Sequence, residues 1–131
     1  MKAVFLDRNT FSPALELPAP EGITDWQVYQ STQNDTATVV ERLRGAQIAI
    51  SNKVLLTRDI IAQSPNLKLI QVAATGINNV DAEACQERGV TLANVAGYST
   101  TSVAEHTFAV ILAALRGLIP YHQAVINGDW Q

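Results

Sequence analysis

The sequence has little cysteine and little clustered positive charge. Its one cysteine, Cys85, excludes a disulfide within the chain, and the nearby carboxylates favour a raised thiol pKa, so we interpret it as a small, partly buried residue. The 131 residues carry a net charge of −3, and the closest pair of basic residues is Arg42 and Arg44. Because nucleic acids and anionic membranes attract basic clusters, we expect neither as a partner.

The common nucleotide and metal motifs are missing. Neither G-x-G-x-x-G nor G-x-x-x-x-G-K-[ST] occurs, which excludes both phosphate-binding fingerprints from this sequence. His106 and His122 have no cysteine or carboxylate at metal-ligand spacing, so we expect no bound metal. We interpret His106, which begins an apolar helix, as a packed or interface side chain rather than a general base.

A single carboxylate, Asp7, follows the first apolar run. A phosphoacceptor receiver domain needs an acidic pair at that place and an aspartate after the third run, where Ser51 stands instead. An FMN-binding loop needs several hydroxyls after the first run, and only Thr10 supplies one. We therefore exclude both kinds of protein.

No uninterrupted apolar run reaches the roughly 20 residues that a bilayer requires. The apolar stretch within Met1–Asp7 is too short for a signal peptide and is followed at once by a charge. The most apolar segment, Val103–Ile119, contains Glu105, His106 and Arg116. We therefore expect a cytoplasmic protein.

Apolar material is abundant: hydrophobic residues make up 47% of the chain, enough for one core. Five short apolar runs are suited to buried strands: Ala3–Leu6, Trp26–Tyr29, Ala46–Ile50, Leu67–Val72 and Val90–Val95. Several are continuous rather than alternating, which is typical of strands covered on both faces. Segments with helical signals lie between them, so the predicted order is β-α-β-α-β-α-β-α-β.

Residues able to cap a helix precede three of these segments: Asn34 or Asp35 before the stretch through Val39, Val40 and Leu43, Thr57 before Arg58–Gln63, and Asp81 before Ala82–Arg88. Glycine or proline follows each segment and marks its end. Strands alternating with helices imply right-handed crossovers and a parallel sheet. We predict an α/β, flavodoxin-like domain over residues 1–100, with five parallel strands in the order 2-1-3-4-5.

Residues 101–131 have a different character. Ser102 and Glu105 form a capping-box pattern that predicts a helix start. The helix over Val103–Ile119 is apolar on nearly every face, so another subunit or further sequence has to cover it. Pro120 is expected to end or kink it, and the tail Tyr121–Gln131 stops without a terminal signal.

Ligands of open parallel sheets bind beyond the carboxyl ends of the strands, which selects three loops. After the third strand, Asn52 is polar and Lys53 either attracts an anionic substrate or is an ordinary solvated lysine. After the fourth strand, Ala74, Thr75 and Gly76 form either a nest of main-chain amides for a carboxylate or a plain turn with glycine at positive φ. After the fifth strand, hydroxyls including those of Ser99 and Thr100 either meet a polar ligand or cap the next helix.

Three stretches resemble the D-2-hydroxyacid dehydrogenases: SNKV at Ser51–Val54, PNLKLIQVAATGINNVD at Pro65–Asp81, and ERGVTLANVAGYSTTSVAEH at Glu87–His106. The NKV and ATGxNNVD variants are most similar to the glycerate dehydrogenase/hydroxypyruvate reductase branch. The resemblance spans essentially the whole chain and is strongest from Ala46 to Arg116.

This resemblance implies an enzyme that reduces 2-keto acids, or oxidises D-2-hydroxy acids, with NAD or NADP. It implies that the main-chain amides of Ala74, Thr75 and Gly76 hold the substrate carboxylate, and Asn52 and Lys53 are our further candidates for the substrate site. Ser99, Thr100 and Val103 would border the nicotinamide. The apolar helix Val103–Ile119 would be the interdomain helix, leading into an inserted Rossmann domain.

The family's substrate-gripping arginine, its catalytic histidine with a glutamate partner, and its Gly-rich fingerprint all lie beyond the match at Gly128–Trp130. Neither His106 nor His122 matches the catalytic histidine, and Arg116 does not match the arginine. We therefore expect no catalytic residue, no bound cofactor and no turnover in this chain alone, with the Rossmann domain and the final helix of the substrate lobe missing. We also expect a homo-oligomer, such as a dimer, through the helix Val103–Ile119. The alternative is a stand-alone, non-catalytic module for small-anion binding or dimerisation, or a structural remnant.

Overall fold

A computed structural model describes residues 1–129. The chain divides into two compact units, Met1–Ala96 and Gly97–Gln131, with the second described as far as Asp129. The division lies close to the boundary at residue 101 that the sequence predicts. The roles assigned to the two parts stay predictions.

The first unit contains five strands and three helices. The strands are β1 (Lys2–Phe5), β2 (Asp25–Val28), β3 (Ile48–Ser51), β4 (Leu69–Val72) and β5 (Thr91–Ala93). The helices are α1 (Thr36–Arg42), α2 (Arg58–Ala62) and α3 (Ala82–Glu87). All neighbouring strands are parallel, in the order β2-β1-β3-β4-β5, so the predicted sheet and its strand order are confirmed.

One face of the sheet forms the core because alternate strand residues point the same way. Val4 pairs with Ala49, Ala49 pairs with Ile70, and all three are fully buried. The three helices and the loops beside them supply the rest of this core, including Val39 from α1, Ile61 from α2 and Leu56 from the loop after β3. Burial of each larger aliphatic side chain stabilises the fold by about 2 kcal/mol.

An irregular segment covers the opposite face of the sheet, so the predicted helix between β1 and β2 is wrong. No α-helix connects β1 to β2; Asp7 leads instead into a 3₁₀ helix at Arg8–Thr10, followed by an irregular segment. Prolines at positions 13, 18 and 20 prevent a helix here, because proline lacks the N–H and clashes with the preceding turn. This segment encloses an apolar cavity of about 250 Å³, lined by Phe5, Phe11, Leu17, Pro18, Pro20, Trp26, Ile50 and Ala73.

Each of α1, α2 and α3 begins directly after a predicted capping residue, but one of these residues makes no capping hydrogen bond. Asp35 accepts a hydrogen bond from the Thr38 N–H at 2.9 Å, which lowers the pKa of Asp35, and Asp81 accepts one from the Ala84 N–H at 2.8 Å. Thr57 stands at the cap of α2, but its hydroxyl makes no capping bond. Asn34, the alternative cap for α1, accepts instead from the Leu55 N–H.

The second unit consists of α4 (Thr100–Leu115) and α5 (Leu118–Asn127), joined at a bend of 57°. The capping-box prediction is wrong, because Ser102 lies inside the first turn and donates its hydroxyl to the Ser99 carbonyl. The predicted end at Pro120 is also wrong. The helix ends at Leu115 because Gly117 has a left-handed φ of 60°, whereas the first turn of α5 accommodates proline without losing a hydrogen bond.

No residue of α4 is buried, and Phe108 and Leu115 are 68% and 77% exposed. Within residues 1–129 no single helix has the length and apolarity to cross a membrane, although the bent pair α4 and α5 meets both criteria when counted together.

Candidate functional site

The loops that follow β3 and β4 lie side by side at the carboxyl edge of the sheet. They are joined by a short parallel bridge: the Leu56 N–H donates to the Asn79 carbonyl at 2.8 Å, and the Asp81 N–H donates to the Leu56 carbonyl at 3.0 Å. The side-chain amide of Asn79 also donates to the Val54 carbonyl at 3.0 Å. These bonds hold the two candidate substrate loops in a fixed relation to each other.

The turn after β4, which we call the amide turn, is Ala74–Gly76. The last hydrogen bond of the sheet before this turn is donated by the Ala73 N–H to the Ser51 carbonyl. Two carbonyls of the turn are engaged, because Val95 donates its N–H to Ala74 and Asn94 donates its side chain to Thr75.

The three N–H groups of the amide turn donate to no acceptor within residues 1–129. Thr75 and Gly76 are exposed, and Ala74 is half-buried. The alternative of a plain turn with glycine at positive φ is wrong, because Gly76 is not among the glycines with positive φ. The turn therefore offers accessible donors to an acceptor outside the described chain.

An open cleft of about 260 Å³ lies between the two loops, and we call it the loop cleft. Its lining residues are Asn52, Lys53, Gly76, Asn78 and Asn79. Three predicted site residues therefore meet here, whereas Ala74 and Thr75 belong to the adjoining turn rather than to the lining.

Lys53 is exposed, and its amino group is paired with no group of residues 1–129. Asn78 is likewise exposed, and its side-chain amide has no partner in that part of the chain. Because the side-chain amide of Asn52 is also without a partner within residues 1–129, the loop cleft offers one cation and two uncharged amide side chains to a ligand. Sequence reasoning missed Asn78 and Asn79 as candidate site residues, although the adjacent pair of asparagines that begins two residues after Gly76 was a usable signal.

The contacts of Asp7 are the feature of these loops that sequence reasoning missed most clearly. Its carboxylate accepts the main-chain N–H groups of Asn52 at 2.9 and 3.0 Å, Lys53 at 2.6 Å and Val54 at 3.3 Å. The side chain of Asp7 is buried, and Ser51 binds Val54 from the other side through its hydroxyl. The loop that carries Asn52 and Lys53 is therefore held by a buried carboxylate.

The predicted cofactor residues lie at the start of α4, in the second unit. Ser99 is half-buried, Thr100 is exposed and donates its hydroxyl to Gly97 at 3.2 Å, and Val103 is 59% exposed. A hydroxyl and an accessible apolar side chain fit contact with an amide-bearing aromatic ring such as nicotinamide. The sequence supplies no Gly-rich loop for a pyrophosphate, so these residues fit only that end of a dinucleotide.

Cys85 is buried on α3, and burial followed by the charge of Asp81 raises the pKa of its thiol. The predicted direction of that shift is confirmed. Among residues 1–129 no group of three or more His, Cys, Asp or Glu side chains is arranged to hold a metal ion.

The fold and the loop cleft together define an α/β domain with a candidate ligand site at the carboxyl edge of its parallel sheet. Comparison with known proteins identifies the family. The chain belongs to the D-isomer specific 2-hydroxyacid dehydrogenase family, whose catalytic-domain model matches residues 4–121. The resemblance drawn from the sequence motifs is thereby confirmed.

Individual relatives agree with this assignment. The chain is 40% identical to glycerate dehydrogenase of Methylorubrum extorquens over 130 residues, which cover 98% of this chain and 40% of that protein. It is 32% identical to hydroxypyruvate reductase of Blautia hydrogenotrophica, with 100% and 41% of the two chains covered. The crystal structure of NAD-dependent formate dehydrogenase from Staphylococcus aureus in complex with NAD superposes with a TM-score of 0.67 at 25% identity, covering 100% and 43%. The chain spans about 40% of the length of these relatives.

Proposed function

We propose that this chain is the substrate-binding part of an NAD- or NADP-dependent oxidoreductase that acts on the CH–OH group of D-2-hydroxy acids. Glycerate and hydroxypyruvate are the proposed substrate pair, because the relatives include a glycerate dehydrogenase and a hydroxypyruvate reductase. The observation that carries the proposal is the amide turn, whose three free N–H groups adjoin a cleft that also presents Lys53.

The chemistry of that turn suits a carboxylate. A carboxylate accepts several hydrogen bonds at once, and bonds with an ionised acceptor are about twice as strong as neutral ones. Small side chains at Ala74 and Gly76 leave the main chain open to close approach. The Lys53 ammonium would add attraction for the anion without fixing its orientation.

The rest of the loop cleft suits a small, hydroxylated acid. Asn52 and Asn78 carry uncharged amide groups, which hydrogen-bond a hydroxyl or a carbonyl without requiring a second charge. A cleft of about 260 Å³ admits an acid of a few carbon atoms.

In this proposal the chain binds and orients the acid, and it does not itself move hydride or protons. Ser99, Thr100 and Val103 would contact the nicotinamide, which supplies the hydride-exchanging carbon when it is bound. Binding of the carboxylate gives ground-state affinity alone, so the amide turn by itself does not accelerate the chemical step. Its contribution to the reaction is to hold the substrate in a reactive geometry.

Titration calorimetry of wild type and Gly76→Ala tests the proposal. A Cβ at Gly76 meets no atom within 4 Å, and the φ of this residue suits alanine, so the free protein tolerates the change. In the loop cleft the added methyl crowds the amides of the turn. We expect wild type to bind glycerate at millimolar concentration, and Gly76→Ala to bind it at least about tenfold more weakly, the effect of one or two lost charged hydrogen bonds.

Two controls accompany this titration. The unfolding temperature of Gly76→Ala should equal that of wild type, and glycerol, which keeps the hydroxyls but lacks the carboxylate, should give no heat. Wild type that releases no heat with glycerate or hydroxypyruvate, or Gly76→Ala that binds as tightly as wild type, would contradict the proposed role of the amide turn.

A further inference from the structure

Asp7 lies at the position in the sheet where a ligand is expected. In a parallel sheet of order 2-1-3-4-5, the crevice opens between the carboxyl ends of β1 and β3, because the connections leave these two strands in opposite directions. Asp7 lies two residues after the end of β1, and the amides that it binds follow β3. The chain's own carboxylate therefore fills this crevice.

The bonds to Asp7 are those that an anionic ligand would make. Three successive main-chain N–H groups, from Asn52 to Val54, converge on its two carboxylate oxygens at 2.6 to 3.3 Å. Successive amides aimed at one point form an anion-binding nest. The side chain of Asp7 is 4% exposed, so solvent anions do not compete for these donors.

We propose that Asp7 is a positioning residue of the loop cleft. It acts as an internal anion that saturates the amides of residues 52–54, so that a substrate carboxylate is left with the free amides of Ala74–Gly76. It also fixes the loop from which Asn52 and Lys53 line the cleft. This inference rests on the proposed function, because it concerns the way the same site selects its anion.

The variant Asp7→Asn distinguishes the positioning role of Asp7 from the effect of its negative charge alone. The carboxylate is a like charge close to an anion-binding cleft, so its removal alone would strengthen the binding of an acid. The asparagine amide nitrogen, however, cannot accept the converging N–H groups, so one side of the nest loses its acceptor and the loop loses its fixed position. The loss of the charge would raise the affinity for an acid, and the loss of the loop's fixed position would lower it. The proposal requires the loss of position to have the larger effect.

The experiment titrates the whole chain with glycerate in wild type, Asp7→Asn, Asp7→Glu and Asp25→Asn. Asp25 is exposed at the amino end of β2, so Asp25→Asn makes the same chemical change away from the cleft. We expect the affinity of Asp7→Asn to fall at least about tenfold, the effect of losing charge-assisted hydrogen bonds. Asp7→Glu keeps the charge but lengthens the side chain, and we expect it to lose affinity too, whereas Asp25→Asn should match wild type.

Amide hydrogen exchange in the wild-type chain gives a second readout that needs no variant. The N–H groups of Asn52 and Lys53 should be protected in the free protein, and those of Thr75 and Gly76 should become protected only when glycerate is added. This distinguishes the two sets of donors even if Asp7→Asn does not fold.

The possible outcomes distinguish failure of this inference from failure of the proposed function. Equal or tighter binding of glycerate by Asp7→Asn overturns the inference alone, as does protection of Asn52 and Lys53 that appears only with glycerate. Wild type that binds no acid overturns the proposed function and this inference with it.

Discussion

Among residues 1–129, three main-chain N–H groups and one charged side chain are the candidate partners for an acid at the carboxyl edge of the sheet. Ala74 and Gly76 contribute little except their backbone, and Lys53 is the single cation that lines the loop cleft. Charge attraction between exposed groups is screened over about 8 Å at physiological salt, whereas short hydrogen bonds to fixed amides are far less affected. Affinity for an acid at this site should therefore depend on geometry more than on ionic strength.

Cys85 gives a prediction of pH dependence at the residue scale. Burial raises the pKa of its thiol above the ordinary value of 9.0, so between these two values the unfolded chain has lost a proton that the folded chain keeps. Stability must then fall as the pH rises through this window, because the unfolded state binds fewer protons there. Urea unfolding of wild type and Cys85→Ala between about pH 8 and pH 10 should show a steeper loss of stability in wild type.

The two proteins share every other titrating group, so the difference between their slopes reports the thiol alone. Parallel pH profiles would show that the buried thiol titrates as it does in the unfolded chain. Alkylation of native Cys85 should likewise be slower than alkylation of the urea-unfolded protein at the same pH.

At the scale of elements, α2 and α3 begin where the two loops that line the cleft end. α3 begins directly after the loop that contains the amide turn, and Asp81 closes that loop by capping the helix. Asp81 also lies 3.7 Å from the guanidinium of Arg58, but that contact is partly exposed to solvent and contributes little.

The cap of α3 should contribute measurably to stability. Asp81→Ala removes the acceptor for the Ala84 N–H, and we expect the free energy of unfolding to fall by about 1 kcal/mol. Asp81→Asn keeps a side-chain oxygen at the same place and should lose much less, so it serves as the matched control. Urea unfolding monitored by circular dichroism measures both, and equal losses in the two variants would assign the effect to the charge rather than to the cap.

At the scale of the whole molecule, the main feature of the second unit is its exposed apolar surface. Its exposed apolar side chains include Val103, Phe108, Ile111, Leu112 and Leu115 on α4. Contiguous apolar surface of this kind is typical of an interface. The predicted homo-oligomer through Val103–Ile119 remains our proposal for this surface.

A charge placed on that surface should oppose self-association. Leu112→Glu adds a carboxylate to α4, whereas Leu15→Glu makes the same change on an exposed leucine of the first unit. In sedimentation velocity at roughly tens of micromolar, we expect wild type and Leu15→Glu to sediment as oligomers and Leu112→Glu to shift toward the monomer. A wild-type chain that sediments as a clean monomer at that concentration would rule out the proposed oligomer.

Local patterns in the sequence determined much of this protein. Continuous apolar runs, and caps such as Asp35 and Asp81, act over a few residues, so they sufficed to predict the parallel sheet and the starts of α1, α2 and α3. The strand order came from the flavodoxin-like fold type that the alternation of strands and helices suggests. The motifs at Ser51–Val54, Pro65–Asp81 and Glu87–His106 together sufficed to identify the family. Where one local signal competed with another, prediction failed: Gly117, rather than Pro120, ends α4, and prolines prevent the expected helix after β1.

Only the tertiary structure decided which donors are already engaged. Asp7 and the amides it binds lie 45 to 47 residues apart, and nothing local to either segment specifies the contact. It exists because β1 and β3 are neighbours in the sheet and end at the same edge. For the same reason, the N–H groups of residues 52–54 donate to Asp7, whereas those of Ala74–Gly76 have no acceptor within residues 1–129. A hydrogen bond between distant segments depends on the sheet register that brings their ends together.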